Sequence, residues 1–243
     1  MYYKSKKYEE DLKVKEKIEK VWSDFPSYGH KRLATALLLN KKRILRVMKR
    51  FNLKPYRRHR KPFKRSGTKE LNVYPNLLPI TILVKINQIW VKDFTYLGYK
   101  NRVIYVATVI DIWNREVVGV CVLTNHSSAL VVQALVSALM DHPKPDIVHS
   151  DQGGEYTAKI FQDFCISSGI KISMSEKGSP WQNGYQESFY DKFKIDLGDP
   201  NRFDTLGELV YEIYRTIYIY NTTRIHTSLK MSPREFALKN QLR

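Results

Sequence analysis

The run Arg102-Val103-Ile104-Tyr105-Val106-Ala107-Thr108-Val109-Ile110-Asp111 restricts this chain more than any other stretch. It is continuously apolar and rich in β-branched residues, so it has no alternating wet face. Such a strand is central and buried on both sides of its sheet. Its neighbours supply partners. Gln88 to Tyr99 reads as a strand that turns at Gly98 to Asn101, and Arg115 to Leu123 reads as a third strand after a turn at Trp113-Asn114. Three strands joined by short turns lie antiparallel.

Helices and further strands follow. Leu130, Val131, Ala134, Leu135, Ala138 and Leu139 recur at helical spacing over Ser127 to Met140, and Pro143 and Pro145 end that helix. Asp146 to Ser150 is a fourth strand, with Asp151 at its C-terminal end; a helix over 157–168, a short strand over 170–174 and a helix over 182–197 come next. The order β-β-β-α-β-α-β-α describes an α/β mixed sheet with flanking helices. Residues 205–219 and a short segment from Pro233 are helical, with a loop from Thr222 to Met231 between them.

The N-terminal third differs in charge. Residues 1–70 hold 23 lysines and arginines against 7 acids, whereas residues 71–243 hold 18 against 17. A basic module joined to a near-neutral one calls for a polyanionic partner. Helical periodicity covers 9–25, a short segment after Tyr28 and 41–51; the last puts Ile44, Val47, Met48 and Phe51 on one face and Lys42, Arg43 and Arg46 on the other. Two short helices with a tight turn and a basic outer face fit a helix-turn-helix-like module for DNA. The stretch carrying Arg57, Arg58 and Arg60 is too charged and proline-punctuated for a core and reads as a linker along a DNA backbone. The divisions expected are a helical module at 1–54, a basic linker at 55–84, a sheet domain at 85–198 and a helical extension at 199–243. Cys121 and Cys165 stand 44 apart in apolar segments and read as buried reduced thiols. The start has no signal-peptide core, and no apolar run reaches the ~18 residues of a membrane span, so a soluble cytoplasmic protein is expected.

Three acids fall at telling places. Asp93 lies in the first strand, Asp151 at the mouth of the fourth, and Glu187, 36 positions further on, in the helix after the last strand. Strand ends side by side and a facing helix can bring these carboxylates into one cleft, where their repulsion demands divalent cations. Carboxylate oxygens suit Mg²⁺. Two such ions, roughly 3.5–4 Å apart, serve in-line attack on a phosphodiester. Asp111, at a strand end before a turn, reads as structural.

These residues carry a resemblance. Tyr28-Gly29-x-x-Arg32 with the helix Arg43 to Met48, Trp90-x-x-Asp93-x-Thr95, His149-Ser150-Asp151-x-Gly153-x-x-Tyr156, Gly178-x-Pro180-x-Gln182-Asn183-Gly184-x-x-Glu187-Ser188 and Tyr220-Asn221-x-x-Arg224-x-His226-x-x-Leu229 occur in order along nearly the whole chain. The sequence resembles DDE transposases of bacterial insertion sequences, related to retroviral integrases, and within them the second-frame (OrfB-type) product of insertion-sequence family three. The resemblance implies an RNase H-like fold and Mg²⁺ or Mn²⁺ dependence. It also implies cleavage of transposon ends and strand transfer by Asp93, Asp151 and Glu187, through a circular intermediate. A homo-oligomer that pairs two ends is expected, with a first-frame (OrfA-type) protein or fusion as a further partner and the bacterial nucleoid as its place. The zinc-binding His/His/Cys/Cys module of retroviral integrases is absent from the sequence. Two rival readings stand: a catalytically silent DNA-binding partner of a fusion transposase, and a plain RNase H-like nuclease. Helix spacing puts Asn183 and Lys194 on the face of Glu187 as expected DNA contacts, the lysine also by likeness to integrases. His149 either orients Asp151 or packs; Arg224 and His226 either touch DNA or brace the C-terminal helices, with bracing preferred.

Overall fold

The computed structural model describes residues 6–57 and 73–241. Its first three helices are α1 (Lys6–Asp24), α2 (His30–Ala36) and α3 (Lys41–Arg50). Val14, Ile18, Leu33, Ile44 and Val47 close around one another as a core of their own. Asn40 caps α3 by accepting the Lys42 N–H at 2.8 Å, which fixes the turn after α2. Asp11 of α1 has no exposed surface and receives Arg46 at 2.6 Å and Arg50 at 3.0 Å. Burial alone would raise its carboxyl; the hydrogen bonds and charges of the two arginines outweigh that and hold it below the usual range.

The sheet has five strands in the order β3-β2-β1-β4-β5: β1 (Ile89–Tyr99), β2 (Arg102–Asp111), β3 (Val117–Leu123), β4 (Ile147–Ser150) and β5 (Lys171–Met174). The first three are antiparallel, with Asp93 opposite Thr108; β4 joins β1 in parallel, with Val91 beside His149. β2 is flanked on both edges, as its unbroken apolar run demands. Helix α4 (Ser128–Asp141), the single turn α5 (Gly154–Thr157) and α6 (Lys159–Ser167) cover one face through Leu130, Ala134, Phe161 and Cys165. Helices α7 (Gly184–Leu197) and α8 (Leu206–Thr222) cover the other through Phe189, Phe193, Leu209 and Ile213, and α9 (Pro233–Gln241) follows. Both cysteines are free and buried. No helix among the described residues is long and apolar enough to cross a membrane.

The helix expected over 157–168 is α6, Lys159–Ser167, and the extended Ala158 (φ −65°, ψ 136°) separates it from the single turn α5 before it. One expected helix is corrected. The segment at 182–197 opens with a 3-10 turn, Pro180–Asn183, and the α-helix begins only at Gly184. Arg224 ties the N-terminal helices to the sheet domain: it is 2% exposed, binds Asp196 and donates to Ser27 Oγ at 2.7 Å. Beside it the Ile225 N–H donates to the Tyr28 hydroxyl at 2.7 Å. This is the bracing role expected of the Arg224 motif.

Candidate active site

Helix α7 is fixed to the sheet by polar groups that a reading of its apolar stripe does not reveal. Gln186 has no exposed surface; its amide donates to Val91 O at 2.7 Å and Thr108 O at 3.2 Å. One turn on, the Tyr190 hydroxyl donates to Asp93 O at 2.7 Å. Thr108 Oγ1 lies 2.9 Å from both Gln186 Oε1 and the Tyr190 hydroxyl. Burial, and then the nearby Asp93 charge, push Tyr190 well above its ordinary value, so it remains a phenol and a donor. These bonds set the height and rotation of α7 over β1 and β2, and Glu187, half-buried, is adjacent to Gln186.

Asp93 is half-buried and accepts the Phe94 N–H at 2.8 Å. Burial lifts its carboxyl to about 8, and the negative charges of Asp151, Glu187 and Glu155 add to this against the Phe94 N–H. Acids far apart in sequence thus bear on Asp93 electrostatically. Asp151 stands beyond the end of β4, exposed, and accepts the Gly153 N–H at 2.9 Å. Dehydration of its carboxyl by the surrounding protein raises it, and the charge of Glu155 raises it further, while the Gly153 N–H works the other way. A Cβ on Gly153 would lie 2.8 Å from Glu155 Oε2 and 3.0 Å from Asp151 Oδ1, so glycine keeps this loop open for the carboxylates. Among the described residues, no group of three or more His, Cys, Asp or Glu side chains is placed to hold a metal ion by itself.

Glu155 is the acid that the sequence reading passed over. Its Oε1 lies 2.7 Å from His126 Nε2, and that imidazole stacks on Tyr105 at 5.2 Å. Only the Gly-Gly-Glu sequence after Asp151 hinted at it. His149 is fully buried, and its Nδ1 is 2.8 Å from Ser173 Oγ; burial holds it neutral, near 4. It packs between β4 and β5. Asp111 is structural, accepting Asn87 N at 2.6 Å and Trp113 N at 2.8 Å.

The expected DNA contacts separate. Asn183 is 5% exposed and its amide points at Lys92 O, 3.5 Å away. It ends the 3-10 turn and does not share the outer face of Glu187, because the helix begins one residue later. Lys194 is half-buried, with its Nζ 5.1 Å from the centre of the Tyr96 ring. Lys42 is exposed, while Arg43 pairs with Glu10 at 3.3 Å. Arg46 is half-occupied by Asp11, so much of the basic face of α3 is neutralised from within. Arg57 is exposed; Arg58 and Arg60 lie outside the described residues.

Known proteins resemble this chain in sequence and in fold. The chain matches a family of the description "Integrase core domain" over residues 84–180 and a second of the same description over 168–233. It is 33% identical over 240 residues to the transposase for insertion sequence element IS904 of Lactococcus lactis, across 93% of this chain and 94% of that one. It is 29% identical over 236 residues to the putative transposase InsK for IS150 of Escherichia coli, across 92% and 82%. Its backbone is similar to the HTLV-2 integrase catalytic core domain solved in complex with magnesium: TM-score 0.52 at 21% identity, over 62% of this chain and 96% of that one. It is also similar to a chain of the simian T-cell lymphotropic virus intasome, TM-score 0.57 at 19% identity, over 90% and 73%. At such identities the two structures speak for the fold, which is RNase H-like. The sequence relatives speak for more, and the chain belongs to the integrase-core transposases of bacterial insertion sequences of the family-three type.

Proposed function

We propose that this chain cuts the ends of its insertion sequence and joins them to a new strand, using Asp93, Asp151 and Glu187 as the residues that hold divalent metal. The observation that carries the reading is Asp93. Its carboxyl is lifted to about 8 by burial and then by the charges of Asp151 and Glu187. A site that gathers repelling carboxylates in this way gains most from a cation among them. Oxygen donors of this kind fit Mg²⁺ or Mn²⁺, which take one or two carboxylates and complete their shell with water and substrate phosphate. A closed protein ligand set is therefore not required. Bound there, the metal supplies activation of an attacking oxygen and stabilisation of a leaving one.

The protein's own part is placement. Gln186 and Tyr190 hold α7 to β1 at Val91 and Asp93, and Glu187 stands next to Gln186 on that helix. The Gly153 N–H turns the Asp151 carboxylate, and Gly153 leaves room for it. In this reading DNA runs along the exposed Lys42 and Arg57, with Lys194 two turns beyond Glu187 on α7; Arg58 and Arg60 stay expected contacts from the sequence alone. Two copies or more bring two ends together, and the HTLV-2 core was solved in both trimeric and dimeric forms. A first-frame protein is a further partner in this reading.

The test is DNA carrying the element's terminal repeats, incubated with Mg²⁺ or Mn²⁺. Wild type should yield cut and joined strands; Asp151→Asn should bind the same DNA and yield neither. Binding without reaction in the wild type would favour the silent partner, and cutting without joining would favour a nuclease. Full activity in Asp151→Asn would overturn the assignment of the acids.

A further inference from the structure

A cavity of about 190 Å³ lies at the junction of the N-terminal helices and the sheet domain. Arg32 of α2, Arg115 in the turn between β2 and β3, Lys192 of α7, and Arg224 and His226 after α8 all line it. Four parts of the chain that meet only in the folded protein thus bring cations to one place. Asp196, bound to Arg224, and Asp191, beside Lys192, are the carboxylates that face them. Four cations against two acids leave the pocket positive.

Two guanidinium nitrogens there are buried with no hydrogen-bond partner, Arg32 Nε and Arg115 Nη1. Buried donors left unpaired are costly, more so when charged. Arg115 also holds a left-handed backbone, φ 66°, which disfavours a residue with a Cβ. Its guanidinium stacks 4.1 Å from the centre of the Tyr185 ring, within the pocket wall. The cations oppose one another. Burial, and then Arg224, pull Arg32 down. Burial lowers Lys192, and Arg32 and Arg224 lower it further against Asp191. Burial and the charges of Arg115, Arg32 and Arg224 hold His226 near 4, neutral at physiological pH.

We propose that this pocket binds a phosphate group, presented by a DNA strand on its way to the acids. Unpaired guanidinium N–H donors, here one from each of two arginines, are the groups that bind phosphate oxygens. The volume is below the ~300 Å³ at which pockets for whole small ligands begin, so a phosphate fits and a nucleoside does not. Ser188, which lines the cavity, is the residue after Glu187 on α7, so a strand held here passes beside the acids. The choice of DNA as the source rests on the proposed function; the phosphate chemistry does not.

The test uses the full chain, with EDTA present so that no strand is cut. Lys192→Gln and Arg115→Gln remove pocket charge and leave Arg224 and its bracing contacts alone. Without ligand each variant should melt at or above the wild-type temperature, because like charges are relieved; a merely structural role predicts a fall. Inorganic phosphate, compared with chloride at equal ionic strength, should raise the melting temperature of the wild type and not of the variants. The slope of log affinity for terminal-repeat DNA against log salt should flatten by about 0.9 for each variant, one phosphate's worth. Loss of the phosphate response with an unchanged DNA slope would overturn DNA as the source. An unchanged response in both assays, or a lower melting temperature without ligand, would overturn the pocket. None of these readouts depends on catalysis, so they stand apart from the Asp151→Asn result.

Discussion

Gly119 on β3 offers a sharp test of how the sheet and α4 are fitted. A Cβ there would lie 2.3 Å from Ala134 O, 2.7 Å from Ala138 Cβ and 2.9 Å from Ala138 N. Two of these atoms are helix backbone and cannot rotate aside. Carbon–oxygen contacts settle at roughly 3.3–3.6 Å, so Gly119→Ala must push α4 away by about 1 Å. Overpacking of this kind costs about 1–3 kcal/mol. The shift also reaches β1 next to Asp93, because Lys92, which is buried, donates from Nζ to Val131 O on α4 at 2.7 Å. An ångström more takes that bond beyond hydrogen-bonding range, and a buried donor left unmade costs about 1–3 kcal/mol, more when charged. The sum is roughly 2–6 kcal/mol, or about 5–20 °C in Tm for a chain of this size. Thermal unfolding followed by circular dichroism reads it directly. The double variant Gly119→Ala/Ala138→Gly should recover little, since the closest atom, Ala134 O, is still in place. A Tm for Gly119→Ala within about 2 °C of wild type would refute the close approach of β3 and α4.

Two further outcomes follow from the junction of the helical module and the sheet domain. Arg224→Ala leaves Asp196 buried without its partner and cuts the tie to Ser27; breaking a buried pair costs roughly 3–5 kcal/mol, so urea unfolding should show that loss, with Arg224→Lys restoring part of it. His226 is held near 4 when folded, against about 6.5 in an unfolded chain. The unfolded state therefore binds the extra proton between those values, and this contribution to stability is complete above about pH 6.5 and is lost as pH falls towards 4. The urea midpoint should drop from pH 7 to pH 4.5 by more in wild type than in His226→Asn; equal drops would show that His226 is not the titrating group.

The sheet was legible because its determinants are local. The apolar run from Val103 to Ile110 requires cover on both faces wherever it sits, and short turns on either side leave its neighbours little choice. The places of Asp93, Asp151 and Glu187 in the fold were legible for a similar reason, since each stands at a strand, a strand end or a helix start that the pattern marks. Residues whose meaning depends on a distant partner were not. Arg46 has the place of a DNA contact on α3, and only α1, folded back, brings Asp11 to it. Asn183 has helical spacing to Glu187, and a start of α7 two residues later than expected, after the Pro180 turn, moves it to the inside. Gln186 breaks an apolar stripe, an anomaly that becomes a positioning device only once Val91 O and Thr108 O are opposite it. The extended Ala158 that splits α5 from α6 has neither glycine nor proline to announce it.

Helix α7 ties these facts into one electrostatic argument. Neutral hydrogen bonds from Gln186 and Tyr190 hold it to the sheet. An ion pair in that position would have cancelled part of the charge at Glu187 or Asp93; amide and phenol leave the acids' repulsion intact. Around the same helix, about 100° per residue, Ser188 and Lys192 face the cationic pocket. One helix therefore presents a repelling face and an attracting face to a phosphate backbone. Under the proposed function, a strand drawn to the arginines meets carboxylates at the next residue along, and a cation between acid and phosphate would reconcile the two. On this reasoning DNA affinity and metal affinity reinforce each other, and the charges that hold the strand are kept apart from the charges that act on it.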